Sequence, residues 1–221
     1  MVKFCAGSFL FPYTWDVVAR GLWVRYPNSQ STHVLSEDTL ERYVENGKLF
    51  TRRLLVKTNP APKWADRFIS KRFVNIVEES IVDPEAQTVV TYTRNIGFTH
   101  VMNVVERVVY RKTDPAKLGE EDGFTIAERS AWLSSGVRGF AFAIEKFSLE
   151  RFKHNTKKAN AGLAESIQRM LGVHPVSKIE SASSGEKLRV AAAAKAKELK
   201  ELARSKAEPV YAACRHREDA V

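Results

Sequence analysis

Strand-like segments fill most of this sequence up to residue 134, and a single long helical segment follows them. Apolar and β-branched residues alternate over residues 2–11 and then over six later segments, at about 33–45, 48–58, 73–82, 87–96, 101–112 and 124–134. Consecutive strands joined by short connections usually pair with each other. The sequence therefore predicts an antiparallel meander, preceded by one strand and one helix and covered by one long helix.

The turn at Asn46-Gly47 predicts that residues 33–45 and 48–58 form a hairpin, because both turn residues accept positive φ angles. Side chains of the second strand alternate between two faces. Leu49, Thr51, Arg53, Leu55 and Lys57 share one face, and Phe50, Arg52, Leu54 and Val56 share the other. Each face carries apolar residues and at least one cation, so the pattern leaves open which face points inward.

A first helix is predicted between Pro12 and Pro27. Thr14 is a suitable N-cap, and Asp16 falls in the first turn, where the helix dipole favours a carboxylate. The apolar face consists of Trp15, Val18, Ala19, Leu22, Trp23 and Tyr26, which recur at helical spacing over about 11 residues. Pro27 is expected to end the helix, because the residue before a proline disfavours the helical conformation.

The second helix is predicted from about residue 137 to residue 171, a stretch without proline. At full length it would extend about 50 Å, which is longer than most helices. Gly172 is a suitable C-cap, and Gly162, inside the helix, is a candidate weak point. The main domain is thus expected to span residues 1–172, and residues 173–221 to form a linker and an Ala/Lys/Glu-rich tail of marginal helicity.

Together these elements predict an α+β fold. A sheet of seven strands tends to curl, and a long helix laid in a curled sheet leaves space between the two. Such a space would be a natural cavity for an apolar ligand that a few polar groups orient. The 12 Phe and 4 Trp residues could equally fill it with side chains.

The charge of the chain points to anionic partners. Its formal net charge is +9 and its pI is near 9.6, which favours anionic membranes or polyanions. Several cations are embedded in apolar sequence, at residues 23–28 and 52–58. A cation removed from water is costly unless it meets an anion, so this pattern indicates an anionic ligand with an apolar body. Alternatively, the cations bury only their stems and reach the surface.

The sequence lacks the usual signals of catalysis. It has no Gly-rich phosphate loop, no Gly-x-Ser-x-Gly elbow and no His-Glu-x-x-His pair. Neither the five scattered histidines nor Cys5 and Cys214 have metal-ligand spacing. Glu78 and Glu79 point to opposite faces of a strand, and residues 120–121 lie in a polar loop, so neither carboxylate pair suits acid–base work. We therefore expect no enzyme and no metal site.

Short motifs spread over residues 1–172 resemble the PRELI-like family of lipid carriers of the mitochondrial intermembrane space. They are Arg25-Tyr26-Pro27-Asn28, Ser31-Thr32-His33-Val34-Leu35, Arg53-Leu54-Leu55 with Lys57, Pro62-Lys63-Trp64, Ser80-Ile81-Val82-Asp83-Pro84 and Glu106-Arg107. The chain departs from the family at Ser29, where proline is frequent. The resemblance implies a curved seven-stranded antiparallel sheet, wrapped with a long C-terminal helix around a lipid cavity, similar to phosphatidylinositol-transfer and START-like domains.

The resemblance also implies a lipid-binding site. Its head-group residues would be Arg25, His33, Lys57, Arg151, Asn155 and Lys158, with Arg25 and Lys57 at the phosphate and His33 beside them. The last three are separated by four and three positions, which places them on one face of a helix. Residues 60–70 match a lid loop, in which the membrane contacts would be Pro62, Lys63, Trp64 and Phe68.

Members closest to this pattern carry phosphatidic acid from the outer to the inner mitochondrial membrane, where it supplies cardiolipin synthesis. The resemblance implies this non-enzymatic function, with the phospholipid as cargo and no cofactor. It also implies transient contact with anionic membranes, a location in the intermembrane space, and a heterodimer with a small helical protein that carries twin Cys-x9-Cys motifs.

Two alternatives stay open. One is a phosphatidylserine carrier of the same family. The other, from a different class, is a basic module that binds single-stranded nucleic acid through aromatic and basic residues on its strands. Acids interleaved with the basic residues, as in Glu41-Arg42, argue against nucleic acid as a partner.

Overall fold

The computed structural model describes residues 2–58, 73–113 and 124–172. In chain order the elements are β1 (Lys3–Phe11), α1 (Trp15–Gly21), a 3-10 turn (Ser29–Ser31), β2 (Val34–Glu45), β3 (Lys48–Thr58), β4 (Phe73–Asp83), β5 (Thr88–Asn95), β6 (Asn103–Lys112), β7 (Thr125–Ser134) and α2 (Ala141–Met170). The linker and tail predicted for residues 173–221 lie outside the described ranges, so that domain boundary stays a prediction.

The seven strands form one antiparallel sheet in the order β1-β7-β6-β5-β4-β3-β2. Each strand from β2 to β7 pairs with its neighbour in sequence, and β1 joins the far edge by pairing with β7. The predicted meander is therefore confirmed. The strand boundaries are also close to those predicted, and the largest difference is at β6, which begins at Asn103 rather than at residue 101.

The β2–β3 hairpin turns where the sequence predicted. Asn46 and Gly47 have φ angles of 49° and 72°, the positive values that a tight hairpin turn requires. In β3 the buried side chains are Thr51, Arg53 and Leu55, which decides the question that the sequence pattern left open. Their face is the inner face of the sheet, the one that both helices cover.

The first helix is shorter than predicted. Sequence periodicity extended it to Pro27, but α1 ends at Gly21. Tertiary contacts explain the difference, because Trp23 and Arg25 turn away from the helix axis towards the sheet. The ring of Trp23 lies 4.8 Å from the guanidinium carbon of Arg42, and Arg25 forms an ion pair with a carboxylate of β4. Contacts of this kind readily override helix propensity.

The two ends of the inner face differ. At one end, which we call the closed end, α1 and the second half of α2 pack on the sheet around an apolar core of Phe11, Trp15, Val18, Ala19, Leu22, Val82, Val89, Val108, Tyr110, Ala127, Leu163 and Ile167. At the opposite end, the open end, β3, β5 and β7 finish and β1, β2, β4 and β6 begin. The first half of α2 lies over the open end.

Helix α2 is continuous and ends where predicted, at Gly172 with a φ of 70°. Gly162, the candidate weak point, does not interrupt it. Gly162 is instead a point of close approach, because a Cβ there would lie 2.5 Å from the Asn28 side-chain oxygen. Ser166 and Arg169 donate to carbonyl oxygens of residues 24–27 at 2.8–3.0 Å, which fixes this half of the helix. Neither described helix has the length and apolarity to cross a membrane.

Gly21→Ala is expected to destabilise the fold, because a Cβ there would overlap Cγ1 of Ile167, which is fully buried. Alanine gains about 1 kcal/mol in helix propensity, but overpacking costs about 1–3 kcal/mol. We expect a net loss of up to about 2 kcal/mol in the free energy of unfolding, measured by urea denaturation. Gly7→Ala, which meets open space, is the control and should cause no loss. Equal stability of both variants would contradict the expectation.

Candidate functional site

A cavity of about 320 Å³ lies between the open end of the inner face and the first half of α2. Its walls are mainly apolar, and the apolar lining residues are Val74, Ile76, Phe98, Val101, Met102, Val104, Leu133, Ile144, Phe147 and Phe152. Cavities that hold small molecules measure about 300–1,000 Å³. Aromatic side chains therefore do not fill the space between helix and sheet.

Six basic side chains line this cavity as well, namely His33, Lys57, Arg94, Arg129, Arg151 and Lys158. We call four of them the cation cluster: His33, Lys57, Arg151 and Lys158. Strand pairing brings the first two together, since the His33 carbonyl accepts a hydrogen bond from the Thr58 N–H at 2.8 Å. The other two come from α2, and Asn155 lies between them and lines the cavity too. Five of the six predicted head-group residues therefore surround one cavity, and their role in binding stays a prediction.

The members of the cation cluster are close enough to affect one another. Burial lowers the pKa of His33, and the positive charges of Lys57, Arg151 and Lys158 lower it further. Burial also lowers the pKa of Arg151. Within the described residues, no carboxylate contributes to the pKa of His33. This side of the cavity therefore presents positive charge to whatever enters it.

Arg25, the sixth predicted head-group residue, does not line the cavity. Its guanidinium donates to both carboxylate oxygens of Glu78 on β4, at 2.8 and 3.1 Å. Glu78 also accepts a hydrogen bond from Arg53, which pairs in addition with Glu37. In this structure the anion that the buried Arg25 meets is therefore a carboxylate of the same chain, and its contact with a lipid phosphate stays a prediction.

Glu78 is almost fully buried and stays ionised. Burial by itself would raise its pKa, but the charges and hydrogen bonds of Arg25 and Arg53 outweigh burial and lower the pKa to about 2. Glu78 in turn holds the pKa of Arg25 well above its usual value. The three groups behave as one internal ion network with strong mutual stabilisation.

A second buried ion pair, which the sequence did not reveal, lies in the cavity wall. Glu106 on β6 accepts from Arg129 on β7, and Arg129 also donates to Asn160 of α2 at 3.4 Å. The sequence of β7 does contain an indication of this ion pair, because Arg129 alternates with Ala127 and Ala131 on the buried face of the strand. A single cation in an apolar row of a strand indicates an inward charge that needs an acid on a neighbouring strand.

The two ion pairs form a charged belt across the inner face, made of Arg53, Glu78, Glu106 and Arg129. Arg53 lies opposite Glu78, and Thr93 lies between Glu78 and Glu106 in register. On one side of the belt is the apolar core of the closed end, and on the other is the cavity. The belt therefore forms the inner boundary of the cavity.

The predicted lid, residues 60–70 with Pro62, Lys63, Trp64 and Phe68, falls outside the described residues, and its role stays a prediction. Among residues that are described, no group of His, Cys, Asp and Glu is arranged to hold a metal ion. What the site offers is an apolar cavity with positive charge on one side. That arrangement suits binding of an anionic amphiphile.

The sequence model of the PRELI-like family matches residues 16–173. The chain belongs to this family. Its members are lipid-transfer proteins and not enzymes. The chain is 43% identical over 179 residues to the mitochondrial PRELI domain-containing protein 1 of Gallus gallus, which covers 79% of this chain and 81% of the relative. It is 36% identical to the mitochondrial protein UPS1 of Saccharomyces cerevisiae, over 77% of this chain and 95% of the relative. It is 28% identical to mitochondrial UPS2 of the same yeast, over 76% of this chain and 73% of the relative.

Solved structures share the fold of this family member at low sequence identity. A protein of Thermus thermophilus is 14% identical, with a TM-score of 0.52 over 76% of this chain and 99% of that one. The Zhui aromatase/cyclase of a Streptomyces species is 11% identical, with a TM-score of 0.52 over 77% and 96% of the two chains. The likeness confirms the predicted fold, a curved seven-stranded antiparallel sheet with a long C-terminal helix of the helix-grip type.

Glu78→Gln is expected to lower the free energy of unfolding by about 3–5 kcal/mol, because Arg25 and Arg53 would keep buried charges without a carboxylate. The pKa of Glu78 falls from 4.5 to about 2 on folding, so its contribution is present above about pH 4.5 and is lost as the pH falls towards 2. The difference between the parent and variant proteins in urea denaturation should shrink over that window.

Glu79→Gln is the matched control for this measurement, because Glu79 lies on the other face of β4 and pairs with the more exposed Arg52. Its loss should cost less than about 1 kcal/mol. Equal losses in the two variants would show that burial of Glu78 between two arginines carries no special weight.

Proposed function

We propose that this protein binds one molecule of phosphatidic acid and carries it from the outer to the inner mitochondrial membrane, where the lipid supplies cardiolipin synthesis. The observation that carries the proposal is the cation cluster beside the apolar walls of a single cavity. A lipid with an anionic head group and acyl chains matches both parts of that cavity. No covalent bond forms or breaks during transfer.

In this proposal the phosphate lies at the cation cluster. Arg151 presents a forked set of donors that fits phosphate oxygens, while Lys57 and Lys158 add point charges. Asn155 adds an amide donor on the same face of α2. The acyl chains extend along the apolar walls, and the charged belt limits how deeply they enter.

Charge balance favours phosphatidic acid over phosphatidylserine. The serine head group brings an ammonium group, which needs an acceptor when it leaves water. Within the described part of the cavity wall, Glu106 is the single carboxylate, and it is already paired with Arg129. A phosphate monoester brings negative charge alone, so every group of the cation cluster attracts it.

Transfer requires access to a membrane and release from it. The net charge of +9 attracts the protein to anionic bilayers, and the family resemblance assigns residues 60–70 as the lid at the lipid entrance. Relatives from an animal and a yeast are both named mitochondrial, which supports that location. The intermembrane space and the small partner with twin Cys-x9-Cys motifs follow from the family resemblance.

The alternative of nucleic-acid binding gains no support, because α1 and α2 cover the inner face on which bases would stack.

Arg151→Gln and Lys57→Gln should each slow transfer of fluorescent phosphatidic acid between vesicles by about tenfold or more, because each removes a charged hydrogen-bond donor to phosphate. Lys153→Gln is the matched control on α2. Lys153 is exposed, pairs with Glu150 and does not line the cavity, so its loss should leave the rate unchanged.

Phosphatidylserine, supplied in the same assay, should be transferred more slowly than phosphatidic acid by the parent protein. Equal rates for the two lipids would contradict the assignment of the cargo. Unchanged rates in both the Arg151 and Lys57 variants would remove the cation cluster from the binding site.

Binding of phosphate is expected to raise the pKa of His33, which burial and the charges of Lys57, Arg151 and Lys158 lower. The complex then holds more protons than the free protein, so affinity rises as the pH falls through the pKa of His33 in the complex and levels off below its pKa in the free protein. Calorimetric titration with a short-chain phosphatidic acid between about pH 5 and pH 8 measures this change.

His33→Gln provides the reference, because the ratio of parent to variant affinity cancels the titration of the phosphate itself. The ratio should increase towards low pH. A ratio that stays constant over the range would show that His33 does not take up a proton with the ligand.

A further inference from the structure

Four large exposed apolar side chains lie at the open end of the sheet. Phe73 begins β4, Ile96 follows β5, and Phe140 and Phe142 lie at the start of α2. Each exposes between 41% and 66% of its surface. A single exposed apolar residue is normal, whereas a group of large ones on adjoining elements indicates an interaction surface. We call these four residues the apolar rim.

The apolar rim is continuous with the cavity. The N–H of Gly136, in the loop between β7 and α2, donates to the carbonyl of His100 in the loop between β5 and β6 at 2.9 Å. The second of these loops also supplies Phe98, Val101 and Met102 to the cavity wall. The segments that carry the apolar rim therefore also frame the cavity, and a surface that covers the rim lies next to it.

The charge around the apolar rim is positive. Residues 96–102 and 135–143 contain Arg138 and no acid. The Lys3 ammonium lies 5.0 Å from the centre of the Phe142 ring, and Lys146 is exposed one helical turn further along α2. Large apolar side chains flanked by cations suit the surface of an anionic bilayer, where the apolar groups insert and the cations meet lipid phosphates.

We propose that the apolar rim is a docking surface for anionic lipid bilayers, with Phe140, Phe142 and Ile96 inserted at the boundary between head groups and acyl chains. This inference rests on the proposed function and adds to it a contact separate from the predicted lid. When the rim is docked, the loops that frame the cavity lie against the bilayer. A lipid then moves between bilayer and cavity along apolar surface.

The test compares vesicle binding by three proteins: the parent, the double variant Ile96→Asp/Phe142→Asp, and the control Val44→Asp. Val44 is 71% exposed and lies at the hairpin end of β2, at the opposite end of the sheet. Flotation with phosphatidylcholine vesicles that contain phosphatidic acid should show binding weakened about tenfold or more in the double variant, because two apolar insertions are replaced by charges that anionic lipids repel. The control should bind like the parent.

Calorimetry with a short-chain phosphatidic acid, below the concentration at which it forms micelles, reports on the cavity alone. All three proteins should bind this lipid equally. Melting temperatures check that each variant is folded, and Phe142→Ala, a milder change at the same exposed position, replaces the double variant if that variant does not fold.

The docking surface would be overturned if the double variant bound vesicles as well as the parent does. It would also be overturned if Val44→Asp weakened vesicle binding as much as the double variant does. Weakened binding of the short-chain lipid by the double variant would also overturn it, because the rim would then act through the cavity. Failure of the parent to bind the short-chain lipid would overturn the proposed cargo instead, so the two ideas fail separately.

Discussion

The carboxylate of Glu78 is the contact on which the arrangement of this protein depends. It binds Arg25, from the segment after α1, and Arg53, from β3, and so fixes the path of residues 22–31 across the sheet. That segment then meets α2, where Asn28 packs on Gly162 and Ser29 bonds to Glu165. The position of α2, and with it one wall of the cavity, therefore follows from an ion network buried beneath the segment.

Cations have two different roles in this molecule, and their partners distinguish them. In the charged belt, arginines meet carboxylates of the same chain, which offsets the cost of taking both charges out of water. In the cation cluster, no carboxylate of the described residues acts on His33, and the groups repel one another. The charges of the belt are thus paired within the chain, while in the proposed function the charge of the cation cluster meets that of the ligand.

Much of the fold could be predicted from the sequence, because alternation, turn residues and helix caps are local signals. The order and boundaries of β2 to β7 and the end of α2 at Gly172 depend on such signals. The end of α1 does not, since Trp23 and Arg25 leave the helix to meet residues far away in sequence. Periodicity also could not decide which face of β3 points inward, because both faces carry apolar residues and a cation. Lys57 was therefore assigned to the predicted site through family resemblance. Arg25 also entered the predicted site through family resemblance, and its pairing with Glu78 was not predicted, because the two residues lie 53 positions apart in sequence.

The bonds between α2 and the segment after α1 join residues that are 136 to 145 positions apart in sequence. Contacts at such separation slow folding, because the entropy cost of closing a long loop precedes the gain from the contact. The first half of the chain supplies His33 and Lys57, but these residues face a cavity only after α2 has been synthesised and docked. A nascent or unfolded chain therefore has no place for cargo, and the capacity to hold lipid begins with completed folding.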